Sequence, residues 1–313
     1  VTSGPPRAGA GHGAGGYGDP RAGGYGDRVR RALPAFFQPL EVAAVLPSTM
    51  LRAAELAAGG AGEGATVVAD VQTAGRGRLN RTWSAPPGSS LLLTVVLRPS
   101  LAPAEAWLAA AAAGVALVDA VRVTLARAGA LAAAARAPVG AGPGRQGAGT
   151  RVGLKWPNDL LLDGRKAAGL LAEARVRGGR VEWVLVGMGV NVGHGAADLP
   201  AGLAGRATSV ALAAGGPVDR VDLLEAWAGP FLTRYRALAA GDTAAVLADY
   251  ASRLDTLGRE VRADLLGAGP VTGTAAGLGP TGGLLVRTAA REVVEVAAGD
   301  VEHLRTAESP SRG

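Results

Sequence analysis

Apolar and polar positions divide this chain into segments of distinct period. From Leu46 onward the pattern is globular. Ser48-Thr49 followed by the run MLRAAELAA predicts a helix entered through a polar cap. Ala65 to Val71 and Ser90 to Leu97 predict short buried strands, and the polar, Gly- and Arg-rich stretch between them predicts a loop. The longest helical period covers residues 104–128, with Trp107, Ala111, Gly114, Val118, Val121 and Leu125 on one stripe. Its most apolar part, Trp107 to Val118, stops at Asp119 and is too short to span a bilayer. Residues 129–150, rich in Ala, Gly and Pro, predict a flexible insertion.

A three-stranded antiparallel meander follows. Lys155 to Leu162 runs into the turn Asp163-Gly164, Lys166 to Val176 returns, and Gly178-Gly179 leads into Val181 to Val190. With two-residue turns and no bulge, Lys166 pairs opposite Asn191 and Lys155 opposite Ala172, so both lysines and Asn191 share one surface. Pro157 is placed to break that register near the start of the first strand. Residues 219–254 predict one or two helices, and 256–306, short apolar runs between Gly-rich turns, a small β-barrel.

Composition narrows the chemistry. The chain has 313 residues, 48% of them hydrophobic, enough for a full core plus a small second domain. It has no cysteine, which excludes disulfides and thiol chemistry, and its histidines, His12, His194 and His303, show no metal-ligand spacing. Net charge is +6, almost all from arginine, because Lys155 and Lys166 are the only lysines; Asn80, Asn158 and Asn191 are the only asparagines. An ammonium and a guanidinium are not interchangeable at a shaped site, so these few residues point to positions where geometry matters. The Gly-, Pro- and Arg-rich N-terminal 30 residues predict disorder. A nucleic-acid-binding reading of the basic balance is weakened by the absence of any dense basic run.

Three motifs carry chemistry. Gln72-Thr73-Ala74-Gly75-Arg76-Gly77-Arg78-Leu79-Asn80-Arg81-Thr82-Trp83 places three arginines and two glycines within seven positions after a strand. Glycine lets backbone N–H groups approach an anion, guanidinium groups match phosphate or carboxylate, and Trp83 offers a flat surface to a ring. Neither GxxxxGK[ST] nor GxGxxG fits. In Gly153-Leu154-Lys155-Trp156-Pro157-Asn158-Asp159-Leu160, a lysine among apolar neighbours needs an anion, either a ligand or Asp159. Gly187-Met188-Gly189-Val190-Asn191-Val192 allows close approach and offers an amide to a ribose or phosphate oxygen, although alone a plain tight turn explains it better.

Taken together with Arg-Lys-Ala-Ala-Gly-Leu-Leu at 165–171, these motifs resemble biotin–protein ligases in order and spacing over residues 45–305. The resemblance implies an α+β fold: a mixed, largely antiparallel sheet flanked by helices, like class II aminoacyl-tRNA synthetases, with a small SH3-like β-barrel C-terminal domain. It divides the chain into a disordered tail (1–32), a catalytic biotin- and ATP-binding domain (40–255), the barrel (256–306) and a disordered end (307–313). The implied activity is ATP- and Mg²⁺-dependent formation of biotinyl-5′-AMP and transfer of biotin to a lysine of the biotin carboxyl carrier domain of an acetyl-CoA or acyl-CoA carboxylase. Ser48, Thr49, Gln72, Arg76, Gly77, Arg78 and Lys155 are implied to contact biotin, with Lys155 and Arg78 catalytic. Arg78, Arg81, Trp83, Asn158, Lys166 and Asn191 are implied on the ATP side. Met50 departs from the Asn that often follows Ser-Thr, and Leu79-Asn80 from the usual small or basic residues. Residues 1–45 are too rich in Gly and Pro for a helix-turn-helix, so no DNA binding is expected; the lack of a long apolar run gives the expectation of a cytoplasmic protein that binds no membrane, and the expected state is a monomer or weak homodimer. A lipoate ligase shares the fold and the adenylate chemistry, and the Gly-Arg-Gly-Arg loop argues against it.

Overall fold

A computed structural model describes residues 24–136, 149–199, 201–203, 205–265, 269–297 and 299–304. Its centre is a seven-stranded mixed sheet. In chain order the first elements are α1 (Tyr25–Ala32), β1 (Leu40–Leu46), α2 (Thr49–Ala58), β2 (Thr66–Gln72), the two-residue strands β3 (Gly75–Arg76) and β4 (Thr82–Trp83), β5 (Ser90–Leu97) and α3 (Leu108–Arg136). Next come β6 (Val152–Lys155), β7 (Asp159–Leu162), β8 (Arg165–Arg177), β9 (Arg180–Asn191), α4 (Val210–Ala214), α5 (Arg220–Ala239) and α6 (Thr243–Ala251). The sheet order is β1-β2-β5-β9-β8-β7-β6, parallel only between β1 and β2. Strand β5, buried at every position, reads SLLLTVVL and sits mid-sheet between β2 and β9.

Helix α3 packs along one face of the sheet and against α5. Alanines such as Ala109, Ala112, Ala113 and Ala116, all buried, let the backbones approach closely. It runs eight residues beyond the predicted end at 128, so part of the expected insertion is helical; 137–148 lie outside the described residues. At 29 residues it is also longer than its apolar run suggests, and by length and composition it could cross a membrane. Two-thirds of its most apolar window, 67%, is buried within the protein, so it is a core helix. Trp227 donates from Nε1 to Ala113 O at 3.1 Å, and Phe37, Trp227, Phe231 and Tyr235 form a continuous aromatic row, with Trp227 and Phe231 stacked at 4.6 Å. Arg234 and Arg253 each pair with both Asp119 and Asp249, tying α3, α5 and the end of α6 together.

The expectation of a disordered tail through residue 32 is corrected. Tyr25, Val29 and Leu33 recur every four residues, all three are buried, and α1 docks against α5. The Arg220 guanidinium, itself bonded to Asp70 at 2.6 Å, lies 4.4 Å from the Tyr25 ring centroid. Residues 1–23 lie outside the described residues.

The meander's register is corrected too. Near its turn the β8–β9 hairpin pairs Arg177 with Arg180, as two-residue geometry requires, but a bulge at Arg175/Val176 shifts every later pair by one. Ala168 therefore faces Val190, and Gly169 faces Gly189. A second bulge lies between β7 and β8, and the first strand is broken at Trp156-Pro157, so Lys155 pairs with Asp159 across β6–β7 and not with Ala172.

Residues beyond α6 form a separate antiparallel sheet of β10 (Glu260–Leu265), β11 (Val271–Leu278), β12 (Leu284–Arg287), β13 (Val293–Val296) and β14 (Gly299–His303), in the order β13-β12-β11-β10-β14. Among the described residues β13 and β14 are not paired, which leaves the expected barrel open on that side. This small domain docks through Trp107, whose Nε1 donates to Thr281 O at 2.7 Å and whose ring fills the space a side chain at Gly282 would need. Truncation of the central ring of the aromatic row, Phe231→Ala, is expected to cost about 3–5 kcal/mol, measured by chemical denaturation.

Candidate functional site

The site starts from an area of sheet without side chains. Gly169 and Gly189 are cross-strand partners, and Gly187, two residues back on β9, shares their face. The Trp83 ring lies flat enough on this patch that a Cβ on Gly189 would come within 2.7 Å of it and one on Gly169 within 3.2 Å. A Cβ on Gly187 would come within 2.6 Å of the Met50 sulfur. Trp83 reaches the patch because β3 and β4 fold the basic loop into a hairpin, in which Gly75 passes so close to the Trp83 carbonyl that no side chain fits. The hairpin tip is a 3-10 turn, Arg78–Asn80, closed by Gly77 N–H donating to Arg81 O at 2.7 Å, with Leu79 in the left-handed region at φ 53°.

Between α2 and this patch lies a narrow cleft, about 310 Å³ with its open mouth included. One end is polar. Gln72 Oε1 accepts from Thr49 N–H at 2.7 Å and from Thr49 Oγ1 at 3.0 Å, and the Thr49 oxygen accepts from Thr94 Oγ1 at 2.9 Å. This chain consumes the Gln72 oxygen and leaves its amide nitrogen as a donor beside the cleft. Ser48 precedes α2 as expected, but its hydroxyl does not cap the helix; it is buried without a partner among the described residues, as is Trp83 Nε1. Unpartnered buried polar atoms beside a cleft are the groups a polar ligand would satisfy. Met50 and Leu171 supply the apolar wall.

Among the described residues Arg76 is the cation that lines the cleft. Arg76 pairs with Glu173 at 3.0 Å. Arg78 donates to Asn158 Oδ1 at 3.5 Å and to Gly299 O of the small domain at 3.2 Å. Asn158 is held by its Nδ2 on Leu170 O at 2.7 Å. Lys166 pairs with Asp159 at 2.7 Å and lies 5.8 Å from the Trp83 centroid. The structure thus brings together Thr49, Gln72, Arg76 and Trp83 in the cleft, with Gly77, Arg78, Asn158 and Lys166 around it. Arg81 stands on the exposed return of the loop.

Two expected residues sit elsewhere. Asn191 is buried and donates to Thr208 O at 3.1 Å. Lys155 ends β6 outside the cleft lining, and among the described residues no carboxylate pairs with its ammonium. Its charge is felt by His303: burial first, then Lys155 and Arg259, push that imidazole down to about 4. The predicted convergence of both lysines and Asn191 fails because the two bulges and the break at Pro157 rotate each out of the shared register. Sequence reasoning missed the pairing of Gly169 with Gly189 and the partner Glu173, and it offered Asp159 to Lys155 where the structure pairs it with Lys166; these signals are cross-strand and depend on that register. Among the described residues no group of three or more acidic or histidine side chains could hold a metal ion.

The family model described as the Biotin/lipoate A/B protein ligase family matches residues 42–191, and that for the Biotin protein ligase C terminal domain matches 256–304. A biotin–[acetyl-CoA-carboxylase] ligase of Mycobacterium tuberculosis is 33% identical over 271 residues, 86% of this chain and 90% of the relative. The bifunctional ligase/repressor BirA of Bacillus subtilis is 33% identical over 244 residues, 78% of this chain and 68% of the relative. The biotin protein ligase of Aquifex aeolicus, solved with biotin and ATP, superposes with a TM-score of 0.63 at 24% identity, over 86% of this chain and all of that one, and so shares the fold.

Gly189→Ala is expected to drive a methyl group into the Trp83 ring, lift the loop and cost about 1–3 kcal/mol. Faster proteolysis within residues 76–81 and a shifted tryptophan emission would report it. Acid stability follows from His303. Its folded value of about 4 lies below the ordinary 6.5, so between those values the unfolded chain binds the extra proton. Stability should therefore fall as pH drops through 6.5 toward 4, and His303→Gln should flatten that part of a Tm-versus-pH curve.

Proposed function

The chain belongs to the biotin/lipoate A/B protein ligase family, with the C-terminal domain of biotin protein ligases, and we propose that it joins biotin to ATP as biotinyl-5′-AMP and passes biotin to a lysine of a biotin carboxyl carrier domain. The observation that supports this most is the cleft itself: the buried, unpartnered Trp83 Nε1, an apolar wall of Met50 and Leu171, Arg76 in its lining and Lys166 beside Trp83.

In this reading biotin's fused ring lies in the cleft between Trp83 and the wall of Met50 and Leu171, with Thr49 and the Gln72 amide on its polar edge and Ser48 Oγ next to Thr49. Its carboxylate then points to the mouth. A carboxylate oxygen attacks the α-phosphorus of ATP and pyrophosphate leaves, so two anions must meet and the first task is neutralising charge. Arg76, Arg78, Lys155 and Lys166 supply it. Lys166 earns a larger part than its sequence position alone suggested, because it is the lysine beside Trp83. Asn158 and Trp83 face the nucleotide, and Asn191 acts on that side by fixing the segment at Thr208. Mg²⁺ enters with the phosphates of ATP, and no protein ligand is assigned to it. In the second step the amine of the carrier lysine attacks the mixed anhydride, an amide forms, and AMP leaves together with the proton shed by the nitrogen.

Calorimetric titration is expected to show biotin binding that tightens with a non-hydrolysable ATP analogue, with little heat from lipoate. Preference for lipoate, or no heat from either acid, would remove this reading. Lys155→Ala and Lys166→Ala are each expected to slow biotinyl-AMP formation by about a hundredfold, the scale of losing one stabilising donor, measured by single-turnover pyrophosphate release.

A further inference from the structure

The turn that carries Lys155 is held from outside the catalytic sheet. Between β6 and β7 the chain passes through Trp156 and Pro157, and proline offers no N–H. Leu154 N–H donates to Arg253 O at 2.8 Å, and Asp255 N–H donates back to Leu154 O at 2.7 Å. The Tyr250 hydroxyl donates to Pro157 O at 2.8 Å. Trp156 N–H donates to Thr256 Oγ1 at 2.9 Å, and the Trp156 indole Nε1 donates to Gly282 O at 3.0 Å. The residue after Lys155 is therefore bonded to the small domain through both its main chain and its side chain.

Thr256 is fully buried, and its hydroxyl has a second neighbour, His303 Nε2 at 3.0 Å. An oxygen that accepts from Trp156 N–H has one proton to give. A neutral imidazole receives it at Nε2 and keeps its own proton on Nδ1. The groups facing His303 are Lys155, Arg259, Asp255 and Arg151, three of them cationic, which favour that neutral form. His303 closes β14, and at the opposite end of the same strand Gly299 O accepts from Arg78. One five-residue strand thus meets both segments that supply catalytic charge.

We propose that Thr256 is a positioning residue for adenylation: its hydroxyl, bridging the Trp156 backbone to His303, fixes the strand end that carries Lys155. The inference rests on the reading of Lys155 as a cation acting on the reacting anions. A displacement of about 1 Å at such a group costs on the order of a hundredfold in rate, whereas the polar end of the cleft, built on α2 and β2, is independent of this turn.

The test uses the full chain and three variants, followed by single-turnover biotinyl-AMP formation, biotin affinity by calorimetry and thermal melting. Thr256→Val keeps the shape and removes both bonds; it should slow adenylation at least about tenfold with biotin affinity within about twofold of wild type. Thr256→Ser keeps the oxygen and should restore the rate to within about threefold. His303→Ala removes only the far anchor and should fall between the two. A wild-type rate in Thr256→Val, a Ser variant as slow as Val, or biotin affinity falling in step with the rate would overturn the proposal. If Thr256→Val does not fold, a wild-type rate in His303→Ala overturns it. A wild-type protein that binds no biotin would instead remove the functional reading, and the inference with it.

Discussion

Everything at the candidate site depends on a stretch of β-sheet where backbone lies bare. Gly169, Gly187 and Gly189 face the same way on two paired strands, and two large side chains from separate segments, Trp83 and Met50, rest directly on the peptide planes. A methyl group at Gly187 or Gly189 would overlap its neighbour. The patch can be this exacting because β8–β9 is the longest pairing in the sheet and is flanked by fully buried β5, so the backbone has little room to yield. A loop of arginines, which would otherwise repel one another in water, gains from this patch a hydrophobic anchor at its Trp83 end.

The small domain is part of the same construction. Trp107 and Tyr250 meet edge to face at 5.4 Å, and both reach beyond their own elements: Trp107 into the turn at Thr281–Gly282, Tyr250 to the carbonyl of Pro157. The left-handed φ of +83° at Gly282 is what allows the turn to wrap the Trp107 ring. Interfaces built from tryptophan hydrogen bonds and close glycine contacts specify one orientation, because each indole N–H needs its own acceptor. The domain is therefore aligned with the turn that bears Lys155 and not merely adjacent to it.

Much of this was legible in the sequence. The two glycine turns, the runs at Ala65 and Ser90, the helices after 219 and the basic loop all announce themselves by period or by turn chemistry, whereas the scarcity of lysine and asparagine pointed to Lys166 and Asn158 beside the loop but also to Lys155 and Asn191, which sit elsewhere. What stayed hidden was set by pairing. A bulge is a single extra residue with no composition of its own, yet two of them moved Lys155 and Asn191 away from their expected partners. Helix α1 was masked by its Gly- and Arg-rich surroundings, although Tyr25, Val29 and Leu33 carry the period. The extension of α3 past residue 128 was hidden by an Ala/Gly composition that reads equally as loop.

The hydrogen bond from Trp156 to Thr256 joins residues 100 positions apart in the chain. At about 5–20 residues per second of synthesis, the turn that bears Lys155 leaves the ribosome some 5–20 s before its acceptor does, and His303 and Gly299 follow later still. Until then the amide of Trp156 has only water to bond. A nascent chain can thus complete most of its central sheet while the lysine turn is still loose. A half-made ligase that could activate an acid but not deliver it would be a hazard, and this order of assembly leaves the turn that bears Lys155 among the last parts to set.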